Sequence, residues 1–250
     1  MYRRTSFFNL RVNFKEGNIS NLYLIRHGQA SFGEKNYDNL SKKGVKQSIV
    51  LGKKLLKQKI SFDQTIIGPL KRHQQTFDGI NEGYKGNLNN PLVIEEFAEN
   101  QLMEIAQHFI PQMLNTDKNI KEIFNAIPFW KRKRKFLEYF NIIAKKWIYN
   151  ELDLSVKGFE SYDDFRGRVS KAMVRVSSIM TENSNTMVVS SGGAITGVYA
   201  QCHPLDVEEI MDLNFKIKNA SITLFKKENE TFTLDSFNRS LIPGYLETYI

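Results

Sequence analysis

The alternation of short apolar runs with longer helical patterns constrains the fold of this chain most. Four short runs predict buried strands: 21–26, 62–68, 91–96 and 186–190. Helical patterns lie between them, among them 40–58, where Ser41 is the predicted N-cap, and 158–180. Alternating residues with a turn near 228–230 predict a β-hairpin over 219–238. Strands that alternate with helices predict an α/β layered sheet.

Further expectations concern the packing of one helix, an inserted lid and the extent of the domain. In segment 40–58, Val45, Ile49, Gly52 and Leu56 recur at helical spacing, which predicts that they form one inward stripe. Residues 97–157 are helical in pattern and have no strand signal, so we expect a helical lid inserted over one edge of the sheet. We expect one domain over 1–250, with an N-terminal extension, 1–20, packed on it as an extra strand or arm.

Composition narrows the class of protein without identifying a substrate. Hydrophobic residues make up 41% and charged residues 25%, and no apolar run reaches membrane-spanning length, so no transmembrane helix is predicted. The only cysteine, Cys202, excludes an internal disulfide and favours a cytoplasmic location. The four histidines lack metal-site spacing, so no metal site is predicted. The net charge of +8 favours anionic partners in general.

Three predicted strand–loop junctions carry residues suited to phosphate. The first strand runs into Arg26-His27-Gly28, the second is followed by a helix with Arg72 near its start, and the fourth runs into Ser190-Ser191-Gly192-Gly193. Ligands of open α/β sheets bind beyond the carboxyl ends of the strands. Arginine forks match phosphate oxygens, and a helix N-terminus offers free N–H groups to an anion. These residues therefore predict a phosphate pocket in which a histidine can act as nucleophile.

Five motifs, in this order, carry a family resemblance: "LIRHGQASFGEKNYDNLSKKGVKQS", "IIGPLKRHQQT", "GFESYDDFRGRV", "MVVSSGGAI" and "NASIT". The chain resembles the histidine phosphatase superfamily, in its phosphoglycerate-mutase-like branch, from about residue 21 to residue 225. The resemblance implies a three-layer α/β fold, with a mostly parallel sheet flanked by helices and a helical lid. It implies phosphoryl chemistry without a metal or organic cofactor.

The resemblance also implies roles for individual residues. His27 would attack phosphorus and become a phosphohistidine, while Arg26 and Arg72 would hold the non-bridging oxygens. An acidic residue would protonate the leaving oxygen. The segment "EEFAENQLME" offers four glutamates, and Glu99, just after the third strand, matches the family's position best. The four are Glu95, Glu96, Glu99 and Glu104.

Further contacts to the ligand are expected from two loops. Gln29 and Ser31 lie in the loop that follows His27. Ser191 and Gly192 lie where the helix after the fourth strand begins, and Ser191 would offer a polar contact to the phosphoryl group.

One position departs from the family pattern. The family usually has a second histidine after the fourth strand, and Ser191 stands there instead. His203 is expected about 15 Å away, beyond the following helix. His73 is expected to point off the other side of its helix from Arg72. A hydroxyl donates a hydrogen bond but brings no charge, and losing one transition-state donor costs on the order of 10²–10³ in rate.

The sequence therefore favours a phosphomonoester hydrolase of reduced activity, acting on a phosphorylated small molecule or a phosphoprotein. The alternative is a pseudoenzyme that binds phosphorylated ligands, and a true phosphoglycerate mutase ranks last. The basic run 131–135 is interpreted first as a solvated helix face, so nucleic acid is not the expected partner; electrostatic guidance of the substrate is a further alternative. Oligomeric state, including a homodimer, stays open.

Overall fold

The computed structural model describes residues 18–31, 38–116 and 129–249, with side chains left out of the description at 114–116 and 129–135. The strands are β1 Ile19–Arg26, β2 Gln64–Ile67, β3 Leu92–Val93, β4 Asn185–Ser190, β5 Ile222–Glu228 and β6 Thr231–Arg239. The helices are α1 Lys42–Lys57, α2 Lys71–Gly83, α3 Leu102–Thr116, α4 Phe129–Ile148, α5 Tyr162–Ile179, α6 Gly192–Cys202 and α7 Val207–Lys216. Two short 3₁₀ turns lie at Glu95–Phe97 and Gly244–Leu246.

The strands form one sheet in the order β3-β2-β4-β1-β5-β6. Neighbours from β3 to β1 run parallel, whereas β5 and β6 are antiparallel and form the predicted hairpin. Helix-linked parallel strands arise because a crossover is needed to bring the chain back to the same end of the sheet. The α/β fold with a mostly parallel sheet is confirmed.

Helices cover both faces of the sheet because its central strands are apolar on both sides. Leu24 and Val188 face a large core formed with α3 to α7. Ile25 and Val189 face a second core, formed with α1 and α2. Consecutive residues thus enter opposite cores, which produces the three-layer arrangement that the resemblance implied.

The predicted inward stripe of α1 is wrong in two of its four positions. Val45 is 40% exposed and Ile49 is only partly buried, whereas Gly52 is buried and Leu56 packs against the core. The buried face instead consists of Gly44, Gln47, Ser48, Leu51, Gly52 and Leu55. Small and polar residues face inward because α1 packs closely on α2 and on the loop after β1. A Cβ on Gly44 would lie 2.1 Å from the carbonyl oxygen of Gln29.

Helix α7 is an element that the sequence analysis missed. It begins with a capping box, in which the Asp206 side chain accepts from the Glu209 backbone N–H and the Glu209 carboxylate accepts from the Asp206 N–H. The sequence signal for it was present as "DVEE", an acidic N-cap with Glu three residues later.

Other predictions fall partly outside the description. Residues 1–17 of the N-terminal extension and the side chains of 131–135 lie outside the described part of the chain. Helices α3 and α4 confirm the helical pattern between 97 and 157, but their function as a lid stays a prediction. No helix in the described ranges is long and apolar enough to cross a membrane. Within the same ranges, no cluster of side chains is arranged to hold a metal ion.

Candidate functional site

Sheet register brings three strand ends to one level. Arg26 pairs with Ser190 across β1 and β4, and Ile67 pairs with Val189 across β2 and β4. The backbone N–H of His27 then donates to Ser190 O over 2.8 Å. The loops that follow β1, β2 and β4 therefore meet at one edge, as the phosphate-pocket prediction requires.

His27 lies at the centre of this edge and is only 4% exposed. Its Nδ1 is 2.7 Å from Gly28 O, and the Arg72 Nε–H points at its Nε2 over 3.2 Å. A carbonyl oxygen only accepts, so Nδ1 carries the proton and Nε2 carries the lone pair. Burial, followed by the charges of Arg72 and Arg26, holds the pKa of His27 well below its ordinary value. The side chain is thus neutral, with Nε2 in the form that a nucleophile needs.

Arg72 is held in place by an aspartate that the sequence analysis did not identify. Asp38 forms an ion pair with Arg72 Nη1 over 2.9 Å, and its other oxygen accepts from the Lys71 backbone N–H over 2.8 Å. This carboxylate therefore also lies at the N-terminus of α2, where negative charge is stabilising. Thr76 adds a link, because its hydroxyl accepts from Gly28 N and donates to Arg72 O. Asp38 lies within the first of the five motifs, but that motif assigned no role to it.

The Arg26 side chain contacts the backbone of two later segments of the chain. Its Nη1 donates to the carbonyl oxygens of Ile217 and Tyr249. A Cβ on Gly192 would lie 3.4 Å from Arg26 Nε, so the guanidinium group is adjacent to the N-terminus of α6. Gly192 thus leaves room beside Arg26, which fits the predicted role of both residues in binding phosphate.

Ser191 is the N-cap residue of α6, but its side chain makes no capping hydrogen bond. Its Oγ lies 2.7 Å from His73 Nε2, and Arg72 Nη2 points at it over 3.5 Å. The structure therefore brings Ser191 to the pocket, as predicted, next to a histidine that was not predicted there.

The predicted position of His73 is wrong. His73 is fully buried, and its ring centroid is 5.9 Å from that of His27. Burial and then the charge of Arg72 lower its pKa to about 3, while the Gly68 backbone acts in the opposite direction. Neighbouring positions on a helix point about 100° apart, yet both Arg72 and His73 are buried because the first turn of α2 lies between the strand ends. His203, by contrast, caps the far end of α6, as expected.

Glu99 is the glutamate that the fold brings to the N-terminus of α6. Its Oε2 accepts weakly from Gly193 N over 3.5 Å, and its Oε1 accepts from Asn100 N over 3.0 Å. Among the other three, Glu95 and Glu104 are exposed, and Glu96 forms an ion pair with Arg175. The geometry favours Glu99 among the four.

An arginine in α5 positions the segment that carries Glu99. Arg168 donates from Nη1 to the carbonyl oxygens of Glu96 and Ala98, and from Nη2 to that of Glu99 over 3.4 Å. Glu160 holds Arg168 through two oxygens, at 2.6 and 2.8 Å. The motif "GFESYDDFRGRV" contains both residues, and the structure gives it a definite contact with the site.

Gln29 and Ser31 stabilise the loop after His27. The Gln29 amide oxygen accepts from Ser41 Oγ, and the Ser31 hydroxyl donates to Asn39 O. Their contact with a ligand stays a prediction.

A model of the histidine phosphatase superfamily (branch 1) matches residues 22–108 and 100–240 of the chain. The chain belongs to this superfamily. Comparison with curated protein sequences found no match.

Solved structures with the same fold include enzymes that act on different phosphorylated compounds. A phosphoglycerate mutase from Bacillus anthracis is 15% identical, with a TM-score of 0.62, and the match covers 90% of this chain and 95% of that one. A putative alpha-ribazole-5'-P phosphatase from Escherichia coli is 18% identical, with a TM-score of 0.56 and coverage of 90% and 99%. A phosphoserine phosphatase mutant from Entamoeba histolytica, in complex with phosphoserine, is 19% identical, with a TM-score of 0.59 and coverage of 89% and 98%. At these identities the likeness concerns the fold.

Proposed function

We propose that this protein is a phosphomonoester hydrolase that works through a phosphohistidine on His27. The observation that carries the proposal is the state of His27: a buried, neutral imidazole with its Nε2 lone pair directed toward Arg72. A neutral imidazole among guanidinium groups suits attack on phosphorus, because the cations attract the phosphoryl dianion and stabilise the charge of the transition state.

The first step transfers the phosphoryl group to the protein. His27 Nε2 forms a bond to phosphorus while the bond from phosphorus to the ester oxygen breaks. Glu99, in its protonated form, gives its proton to the leaving oxygen, which departs as an alcohol. Arg72 Nε must release Nε2, and the arriving phosphoryl oxygens replace it as acceptors for the guanidinium group.

The second step returns the protein to its starting state. A water molecule attacks phosphorus, the N–P bond breaks, and the Glu99 carboxylate takes the proton of the water. Inorganic phosphate leaves, and His27 recovers its Nε2 lone pair. The substrate class is a phosphorylated small molecule or a phosphoprotein, and the cytoplasm stays the predicted location.

The test measures phosphate release from a panel of phosphomonoesters that includes p-nitrophenyl phosphate, for the wild type and for His27→Ala. We expect release by the wild type and a fall of about 10⁴-fold or more in the variant, because the nucleophile is gone. His203→Ala is the matched control, since His203 caps the far end of α6. Equal release by the wild type and His27→Ala would exclude the proposed mechanism.

A second candidate function is phosphate recognition without turnover. The feature in its favour is Ser191, which brings a hydroxyl without positive charge to the position where the family usually has its second histidine. This candidate predicts no phosphate release by the wild type, together with phosphate binding that Arg26→Ala abolishes. A mutase reaction ranks below both and predicts transfer of the phosphoryl group between positions of one substrate instead of release of phosphate.

A further inference from the structure

His73 is a buried imidazole that the proposed mechanism does not use. It follows Arg72 directly in α2. Its ring lies close to the ring of His27, with 5.9 Å between the two centroids. Its Nε2 is 2.7 Å from Ser191 Oγ, a good hydrogen-bond distance. Ser191 occupies the position at which the family usually has its second histidine. An imidazole is therefore present one hydrogen bond behind the position at which this chain lacks the family's second histidine.

The surrounding backbone is shaped to admit this ring. A Cβ on Gly68 would lie 2.5 Å from His73 Nδ1 and 2.6 Å from Phe97 O. Glycine at the end of β2 is thus required for His73 to reach Ser191, whereas a larger side chain at Gly68 would displace it. The close fit of ring, glycine and hydroxyl distinguishes His73 from a histidine that merely fills the core.

The Ser191 hydroxyl is committed to His73 and not to its own helix. Although Ser191 is the N-cap of α6, its Oγ accepts from no backbone N–H of the first turn. Arg72 Nη2, which can only donate, reaches Oγ over 3.5 Å. A hydroxyl has one proton and two lone pairs. When the neutral ring of His73 carries its proton on Nε2, this N–H donates to Ser191 Oγ and leaves the O–H of Ser191 available to a phosphoryl oxygen.

We propose that His73 and Ser191 act as one unit in place of the missing second histidine. Ser191 donates to a phosphoryl oxygen in the transition state, and His73 is the positioning residue that donates to Ser191 Oγ and fixes the direction of the hydroxyl. Hydrogen bonds aligned in one chain polarise one another, so the imidazole strengthens the donor without touching the substrate. This inference rests on the proposed hydrolase function.

One feature of the pocket supports this arrangement. His27 and Ser191 are both contacted by Arg72, so a phosphoryl group bound to that guanidinium lies within reach of both.

The decisive experiment removes the imidazole at position 73 and places one at position 191, at the start of α6. It compares kcat and KM for p-nitrophenyl phosphate among the wild type, His73→Ala, Ser191→Ala, the double alanine variant, and His73→Ala combined with Ser191→His. We expect each single alanine variant to lose about 10²-fold in kcat, and the double variant to lose hardly more, because the pair acts as a unit. The swapped variant should recover at least about 10-fold over the double alanine variant, since its imidazole contacts the phosphoryl group directly.

Different results overturn different claims. A His73→Ala variant that keeps kcat within about twofold of the wild type overturns the pairing, as long as His27→Ala is inactive. Additive losses in the double variant, or no recovery in a folded swapped variant, also overturn it. Activity that survives His27→Ala overturns the hydrolase mechanism instead.

A second variant of His73 separates loss of the hydrogen bond from loss of the fold. His73→Gln places an amide N–H near the position of Nε2, so we expect it to keep the fold, measured by circular dichroism, and to retain more activity than His73→Ala. Activity in His73→Gln equal to or below that of a folded His73→Ala would contradict a hydrogen-bonding role. His203→Ala is again the control that should leave kcat unchanged.

Discussion

The two sides of the candidate site are built in different ways. The β1 side, Arg26 to Gly28, is fixed by backbone hydrogen bonds, such as those from His27 N to Ser190 O and from Ala220 N to Arg26 O. The opposite side, where α2, α6 and residues 96–99 meet, is fixed by side chains from distant segments, among them Asp38 on Arg72 and Arg168 on the Glu99 segment. Sheet register therefore sets the first side, whereas single substitutions can disturb the second.

We expect the largest loss of activity from substitution of Glu99, the proposed acid, which lies on the side that is held by side chains. Glu99→Gln should lower hydrolysis of alkyl phosphates by about 10²–10⁴-fold, because an alkoxide needs a proton to leave. Hydrolysis of p-nitrophenyl phosphate should fall much less, since p-nitrophenolate leaves without one. Steady-state kinetics on both substrates checks this. Equal losses on both would show that Glu99 supports binding and not proton transfer.

Removal of the aspartate that anchors Arg72 should have the next largest effect. Asp38→Ala deletes an ion pair to a guanidinium group that is 7% exposed, and leaves Arg72 free to adopt other rotamers. We expect kcat/KM to fall about 10- to 100-fold on every substrate, in contrast to Glu99→Gln. Asp78→Ala is the matched control, because Asp78 lies on α2 and bonds only the exposed Gln74 side chain over 2.8 Å among the contacts described. An unchanged kcat/KM in Asp38→Ala would mean that backbone packing alone positions Arg72.

A smaller loss should follow from release of the segment that carries Glu99. Arg168→Met keeps the aliphatic stem but removes the donors to the carbonyl oxygens of Glu96, Ala98 and Glu99. We expect about a 10-fold loss on alkyl phosphates and little change on p-nitrophenyl phosphate.

The control for Arg168→Met is Arg175→Met. Arg175 lies on the same helix, α5, and pairs with Glu96 at the surface, where ion pairs contribute about 0–1 kcal/mol. Equal effects of the two substitutions would indicate loss of surface charge instead of loss of position.

The smallest expected effect is on stability and concerns both sides at once. The pKa of His73 is lowered to about 3 and that of His27 is held well below its ordinary value, so both rings resist protonation in the folded state as the pH falls below 6.5. An unfolded histidine titrates near pH 6.5 and binds the proton below that value. Stability therefore falls as the pH drops below about 6.5, by up to about 1.4 kcal/mol per pH unit for each histidine.

Urea unfolding at pH 7, 6 and 5 measures this slope. The charged groups nearest the two rings, Arg72 and Arg26, keep their charge over this range and oppose protonation throughout. His73→Gln should remove about half of the histidine-dependent slope. A slope identical to that of the wild type would contradict the neutral buried state of His73.

Predictions from local sequence signals were correct, whereas a prediction that depended on packing between elements was wrong. Strand β1 and the Ser41 cap were predicted correctly, because apolar runs and N-caps are local signals. The inward face of α1 was predicted wrongly, because Gly44 and Gln47 face inward for reasons of close approach and hydrogen bonding that hydrophobicity does not report. Helix α7 was missed although its capping box was visible in the sequence.

The sequence by itself determined the α/β class, the superfamily and the placement of Arg26 and His27 at the end of β1. Those depend on residues close together in the chain and on the rule that parallel strand ends share one edge. The tertiary structure alone decided that His73 contacts Ser191 and that Asp38 holds Arg72. These pairs are separated by 118 and 34 positions in the chain, and their contacts depend on how α2 seats between the strand ends. Helical periodicity gives the direction of a side chain relative to its own helix, whereas the packing of that helix decides what the side chain meets.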